Sequence, residues 1–317
     1  MNKTAILAVT LIAALGSATA VSADTISFDP DGGGGLGQVT IDLFDVAPGN
    51  SLTLNTTGVT QPGLQTTVLF QANMTAALLG EDIQASNNVG GADAFKFLAG
   101  LPVELTANNG TTLQFEFGAE DTNFFRIYAG ADPGNNLTGT GFPAPADTLV
   151  LEGTWINDSL FGASFTVSNP CLPTSPTCSN GGLLDQFGVN NWGNTLSVQG
   201  DGGFSGNIDV TFANPLYFPN LSIDSTIFVA TSQQHLPYQQ ANPSECLTNG
   251  TLACAVASNV GAHNGLTGPN TLLQTDASFS FNVEAVAVPE PTMMVLFGMG
   301  LLGAGYASRR QKRAGAR

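Results

Sequence analysis

Positive charge is what this chain has least of where it matters. The 317 residues hold eight Lys and Arg against 24 Asp and Glu, a formal net charge of −16. Six of those eight sit at the ends: Lys3, Arg309, Arg310, Lys312, Arg313 and Arg317. Residues 24–287 keep only Lys96 and Arg126 against 23 acidic residues, a formal charge of −21. Phosphate backbones are held by basic side chains, so this composition excludes a nucleic-acid partner. It also makes divalent cations natural partners and keeps the chain soluble.

Histidine is nearly absent. His235 and His263 are the only two, and neither lies in an H-E-x-x-H arrangement. No Gly-Lys pair exists to build a phosphate loop, and no serine stands in G-x-S-x-G. Acids are too plentiful for any pair to mark a glycosidase. The reading is therefore a non-enzymatic protein, with a secreted polysaccharide hydrolase as the weakest alternative.

Cysteine is sparse but patterned. Cys171 and Cys178 form one close pair, Cys246 and Cys254 another. Four cysteines allow three connectivities. Local pairing, 171 with 178 and 246 with 254, closes two short loops in an oxidising compartment. Zinc ligation would call for C-x-x-C spacing or a histidine close by at ligand spacing, and these cysteines have neither.

Both ends read as addresses. Lys3 precedes an apolar run over 5–16 and two small-residue sites, with cleavage expected after Ala23 and Ala20 as the alternative. This is the build of a secretory signal over residues 1–23, a signal helix that is removed. The other end reads Val288-Pro289-Glu290-Pro291-Thr292, an apolar stretch over 293–307, then Arg309, Arg310, Lys312 and Arg313. The stretch is shorter than the roughly 20 residues of a comfortable span, and tilt-free crossing needs the flanking residues in the interface. The basic end stays cytoplasmic, which places residues 24–287 outside the inner membrane.

The body between is rich in Gly, Asn, Thr, Ser and Phe. That composition favours strands and turns over helices. Over 111–117, Leu113, Phe115 and Phe117 face one way while Gln114 and Glu116 face the other. Residues 278–284 alternate in the same manner. Further strands are predicted at 40–46, 65–71, 102–106, 123–128, 147–155, 160–167, 195–199, 207–212 and 225–231. Short alternating runs between turn residues predict an all-β body, an antiparallel sandwich or barrel-like fold. Two short helices are predicted at 75–79 and 92–98. Residues 142–146 (FPAPA) are the one candidate linker. The cysteine-bearing segments 169–182 and 233–270 read as long stapled loops, the second long enough to be mobile or functional.

Ligand candidates are few. Asp29-Pro30-Asp31 before four glycines could offer oxygens to calcium, the one cofactor the sequence suggests, although a plain turn explains it as well. No metal site proper is predicted. Trp192, set in Asn190-Asn191-Trp192-Gly193, is the aromatic best placed to meet a ligand. Phe124, Phe125, Tyr128, Trp155 and Phe187 read better as core.

The tail resembles the PEP-CTERM sorting signal: the Pro289-Glu290-Pro291 tripeptide, an apolar helix and the basic end, Arg309, Arg310 and Arg313 included. The resemblance covers residues 288–317. It implies recognition by an exosortase, a membrane-resident cysteine protease and transpeptidase, with a transmembrane sorting helix that is cut away near the tripeptide. The body resembles the flocculation-associated PEP-CTERM proteins. The matching stretches are Phe28-Asp29-Pro30 with its glycines, Ala47-Pro48-Gly49-Asn50, and 122–128 (TNFFRIY). Residues 136–142 (NLTGTGF) and 185–192 (DQFGVNNW) complete the set. That likeness implies a surface or matrix protein that gathers cells into flocs with exopolysaccharide. A carbohydrate-binding module is the alternative.

Overall fold

The computed structural model describes residues 24–34, 37–47, 49–55, 62–87, 93–109, 112–136, 139–167, 200–223, 225–233, 244–249, 260 and 270–282. The chain divides after Asn282, and every described residue belongs to the first unit.

The described residues form fourteen strands and one short helix. A two-stranded ribbon, β1 (Ile26–Phe28) and β2 (Val39–Ile41), stands apart from one large antiparallel sheet. That sheet closes on itself as an eight-stranded barrel. Five of its staves are single strands: β5 (Leu64–Leu79), β7 (Ala94–Asn108), β12 (Gly200–Ala213), β13 (Thr226–Gln233) and β14 (Thr271–Asn282). The other three staves are each split between two shorter strands. β3 (Leu43–Val46) and β4 (Gly49–Thr53) both bridge β14 to β5. β9 (Phe124–Gly130) and β10 (Thr148–Trp155) close the gap between the first half of β7 and the second half of β12. β8 (Thr112–Phe117) and β11 (Gly162–Val167) close it at the other end. β6 (Asp82–Ser86) hangs on β5 as a hairpin.

Phenylalanine fills the interior. Phe97 on β7 stacks on Phe279 of β14 with centroids 4.9 Å apart, although the two strands are not hydrogen-bonded neighbours. That contact crosses the barrel and fixes which faces look inward. Phe44 and Phe125 meet the same pair, at 5.8 Å from Phe97 and 5.2 Å from Phe279. Phe28 of the ribbon packs on Phe44, Phe95 and Phe218. An eight-stranded barrel has a bore that side chains just fill, and large rings do so with few rotors.

Alternate residues of β5, β7, β9 and β14 look outward, yet they are buried as well. Leu69, Leu98, Phe124, Tyr128 and Leu272 lie under Cys246, Leu247 and Val260, with Cys246 and Leu247 on α1 (Glu245–Asn249). The connection from β9 to β10 covers the neighbouring polar patch. Gln71, fully buried, ties both covers down. Its Nε2 donates to the carbonyl of Asn136 at 3.1 Å, and its Oε1 accepts from the Ser244 N–H at 2.9 Å.

Several sequence expectations change here. Residues 75–79 and 92–98 are not helical: the first ends β5 and the second opens β7 as far as it is described. Burial on both faces removed the period-two signal at the start of β7, since 94–103 are buried without a break. Tertiary pairing then overrides the helix preference of Ala, Leu and Met. Residues 142–146 do not separate domains, because β9 and β10 on either side of them pair directly and Phe142 is 1% exposed. The segment 233–270, expected to be mobile or functional, serves in its described part as a packed cover. The strand expected at 195–199 lies outside the described residues.

Candidate functional site

Asp29 and Asp31 occupy the turn that ends β1. Asp29 is fully buried. Its two oxygens accept from the backbone N–H groups of Asp31 at 3.3 Å and Gly34 at 2.9 Å. Asp31 in turn accepts from the Gly33 N–H at 2.9 Å. Gly32 has φ +60°, and a Cβ there would come within 2.5 Å of the Tyr217 ring, so only glycine fits. Tyr217, in the turn after β12, is tied in as well: its carbonyl accepts from the Asp29 N–H at 2.8 Å, and its hydroxyl donates to Asp93 Oδ2 at 2.6 Å.

Burial pushes the Asp29 carboxyl up, and the hydrogen bond shared with Asp31 adds to this. Asp31 is held down by the Gly33 N–H and by that same shared bond. Their surroundings therefore push the two carboxyls apart, the buried one up and the exposed one down. Tyr217 is pushed strongly up by burial, then by its bond to Asp93. The carboxylates are spent on their own turn. Among the described residues, no group of three or more His, Cys, Asp or Glu is placed to hold a metal ion.

Both cations of the body are consumed in ion pairs. Lys96 Nζ lies 2.5 Å from Asp147 Oδ2, with side-chain exposures of 0% and 3%. Arg126 Nε lies 2.7 Å from Glu152 Oε1, and its guanidinium rests 5.2 Å over the Phe124 ring. The outside of the barrel is left with carboxylates. Asp45 and Asp276 sit near one another on the outer face of β3 and β14, and burial raises both.

The opposite stretch of wall, β8, β11 and the first half of β12, has another character. Gln114 and Ser164 share a row across the strands with Gly203, and Gly162 pairs with Ser205 in the row beside it. Glu116 and Thr106 stand at the margin. Together they line a shallow trough of about 400 Å³. Gly162 and Gly203 keep its floor low. Gln114, Glu116 and Ser164 are exposed. The sequence had set Gln114 and Glu116 on the outward face of an alternating strand, which is where they lie. Their gathering with β11 and β12 was not visible, because it depends on pairing distant in the chain.

Phe124, Phe125, Tyr128 and Trp155, read from the sequence as core, are buried in the wall and its core, and Phe187 lies outside the described residues. Cys246 is fully buried and disulfide-bonded. Ala23, Cys171, Cys178, Trp192, Cys254, Pro289, Glu290, Pro291, Arg309, Arg310 and Arg313 lie outside the described residues. Among the described residues, no helix is long and apolar enough to cross a membrane.

Residues 287–311 match the family model of the PEP-CTERM protein-sorting motif. No curated protein matches the chain. No solved structure matches it either. The motif marks an exported protein that an exosortase processes, with a membrane-anchored intermediate and a final place at the cell surface or outside it.

Proposed function

Taking as premise that the chain ends in a PEP-CTERM sorting motif, we propose that its barrel is a non-enzymatic matrix protein that promotes cell aggregation into flocs. It does so in association with exopolysaccharide. The observation that supports this reading is the sorting motif joined to a body of formal charge −21 whose two cations are both ion-paired. A surface of that kind stays soluble and repels anionic polymers. Contact with the matrix then runs through neutral sugars or through bridging divalent cations, including calcium. The disulfides proposed are Cys246 with Cys254 and Cys171 with Cys178, which staple the segment that covers β5 and β14 and the one that joins β11 to β12.

A deletion strain decides the matter, complemented by the wild-type chain and by one lacking residues 288–317. Loss of flocs, restored by the first and not by the second, is the expected result. Normal flocs in the deletion strain would end the proposal. The outward polar trough favours a second reading, a carbohydrate-binding module, and the two readings are compatible. A hydrolase is the remaining reading. It would be established if the purified protein shortened exopolysaccharide chains.

A further inference from the structure

We propose that the trough over β8, β11 and β12 seats a neutral, hydroxyl-rich polysaccharide chain. This rests on the reading above that the protein works within exopolysaccharide, and it names the sugar class and the place.

The trough is built by omission. Gly162 and Gly203 withhold side chains at diagonal sites of neighbouring strands, in successive outward rows, while Gln114, Glu116, Ser164 and Ser205 stand around them. A Cβ at Gly162 would find only the Ser205 Oγ, at 4.0 Å, so packing does not demand glycine there. Nor does the backbone, since Gly162 is absent from the glycines with positive φ. The space is open to an occupant.

The chemistry of the walls narrows that occupant. Hydroxyl and amide groups both donate and accept, and the Glu116 carboxylate accepts, which together is what sugar hydroxyls require. Adjacent strands lie about 4.8 Å apart, so Gln114 and Ser164 repeat at roughly the length of one sugar ring. Anionic sugars fit badly. Glu116 faces Glu104 across β7 and β8, and no lysine or arginine lines the trough. A protein partner would want apolar anchors, and the outward side chains here supply none. The contrast with the far wall is telling: there the outward residues are apolar and the chain covers them itself.

The test uses the mature protein purified from exporting cells, with cellohexaose, mannohexaose and isomaltohexaose as neutral probes. Oligomannuronate, with and without millimolar calcium, is the anionic arm. Calorimetry should show binding of at least one neutral hexaose. Gly162→Tyr, which fills the trough, should weaken it about tenfold or more, and Gln114→Ala with Glu116→Gln should weaken it by a similar factor. Unchanged melting temperatures establish that the variants fold, and the second variant serves if the first does not. Binding of no neutral probe, binding of oligomannuronate alone, or equal affinity in the variants would overturn the inference. If the deletion strain loses its flocs while Gly162→Tyr restores them fully, the seat is wrong and the role in flocculation stands.

Discussion

Lys96 and Asp147 form an ion pair of 2.5 Å in which the Lys96 side chain is fully buried and that of Asp147 almost so. Asp147 Oδ2 also accepts from the Ala144 N–H at 2.6 Å, so one carboxylate holds both the outer face of β7 and the end of the β9–β10 connection. Removing one partner leaves a buried charge without its counter-ion. Asp147→Ala should therefore destabilise the fold by about 3–5 kcal/mol, while Lys96→Met with Asp147→Leu together should recover most of that loss. Urea unfolding of the three proteins measures both effects. Equal stability of the single variant and the wild type would show that the pair does not organise this wall.

Gln71 bridges the two covering segments, and its amide meets a backbone group on each. In Gln71→Met the chain keeps its volume but leaves the Asn136 carbonyl and the Ser244 N–H without that partner. The expected cost is about 1–3 kcal/mol. Leu247 is 2% exposed and packs on the same wall, so Leu247→Ala should cost about 2–5 kcal/mol. Both variants should also bind more of a hydrophobic dye, because the wall beneath, with Leu52, Leu69 and Leu272, loses its cover. Loss of stability without dye binding would mean that the segment stays seated.

The half-buried strands were legible: 111–117 alternates cleanly and is β8 from Thr112 to Phe117. So was the class of fold, since Gly, Asn and Pro punctuate short β-prone runs. The strand expected at 65–71 lies within β5, but the end of β5 and the start of β7 misled: 75–79 is made of the helix formers Ala and Leu after Thr75, and a covered barrel buries both faces of 94–103, so Leu98 carries no period of two. β6 and the ribbon strand β1 went unseen, being too short to show a pattern. Of the two readings the sequence allowed for Asp29 and Asp31, oxygens for calcium or a plain turn, their hydrogen bonds serve the turn. The trough could not be read at all, since Gln114, Ser164 and Gly203 meet only through register.

Asp276 lies half-buried beside Asp45, and burial first, then the neighbouring charge, raises its carboxyl. A carboxyl raised in the fold keeps a proton that the unfolded chain releases. Its contribution to stability is complete below the unfolded value near pH 4 and is lost as pH climbs through the raised one. Asp276→Asn does not titrate and keeps an oxygen for the Ala277 N–H, which Asp276 now serves at 3.1 Å. The variant should match the wild type at pH 3.5 and melt a few degrees higher at pH 7. A variant no more stable at pH 7 than the wild type would show that solvent screens this pair of acids fully.

The tail gives the sharpest cellular prediction, because processing changes a mass. Pro289 and Glu290 lie within the matched motif, and Glu290 is the one acidic residue outside 24–287. An exosortase that reads this tripeptide should fail on Pro289→Ala with Glu290→Ala. The protein then keeps its C-terminal peptide and stays with the inner membrane, while the wild type loses that peptide and leaves. Replacing Arg309, Arg310 and Arg313 by serine acts elsewhere: it removes the charge that holds the end in the cytoplasm, so the tail should be drawn through and anchoring should fail. Mass spectrometry of the C-terminal peptides, with fractionation of inner membrane, outer membrane and medium, separates the two failures. Processing of the Pro289→Ala, Glu290→Ala chain at the wild-type bond and rate would show that recognition lies in the apolar stretch and its basic end alone.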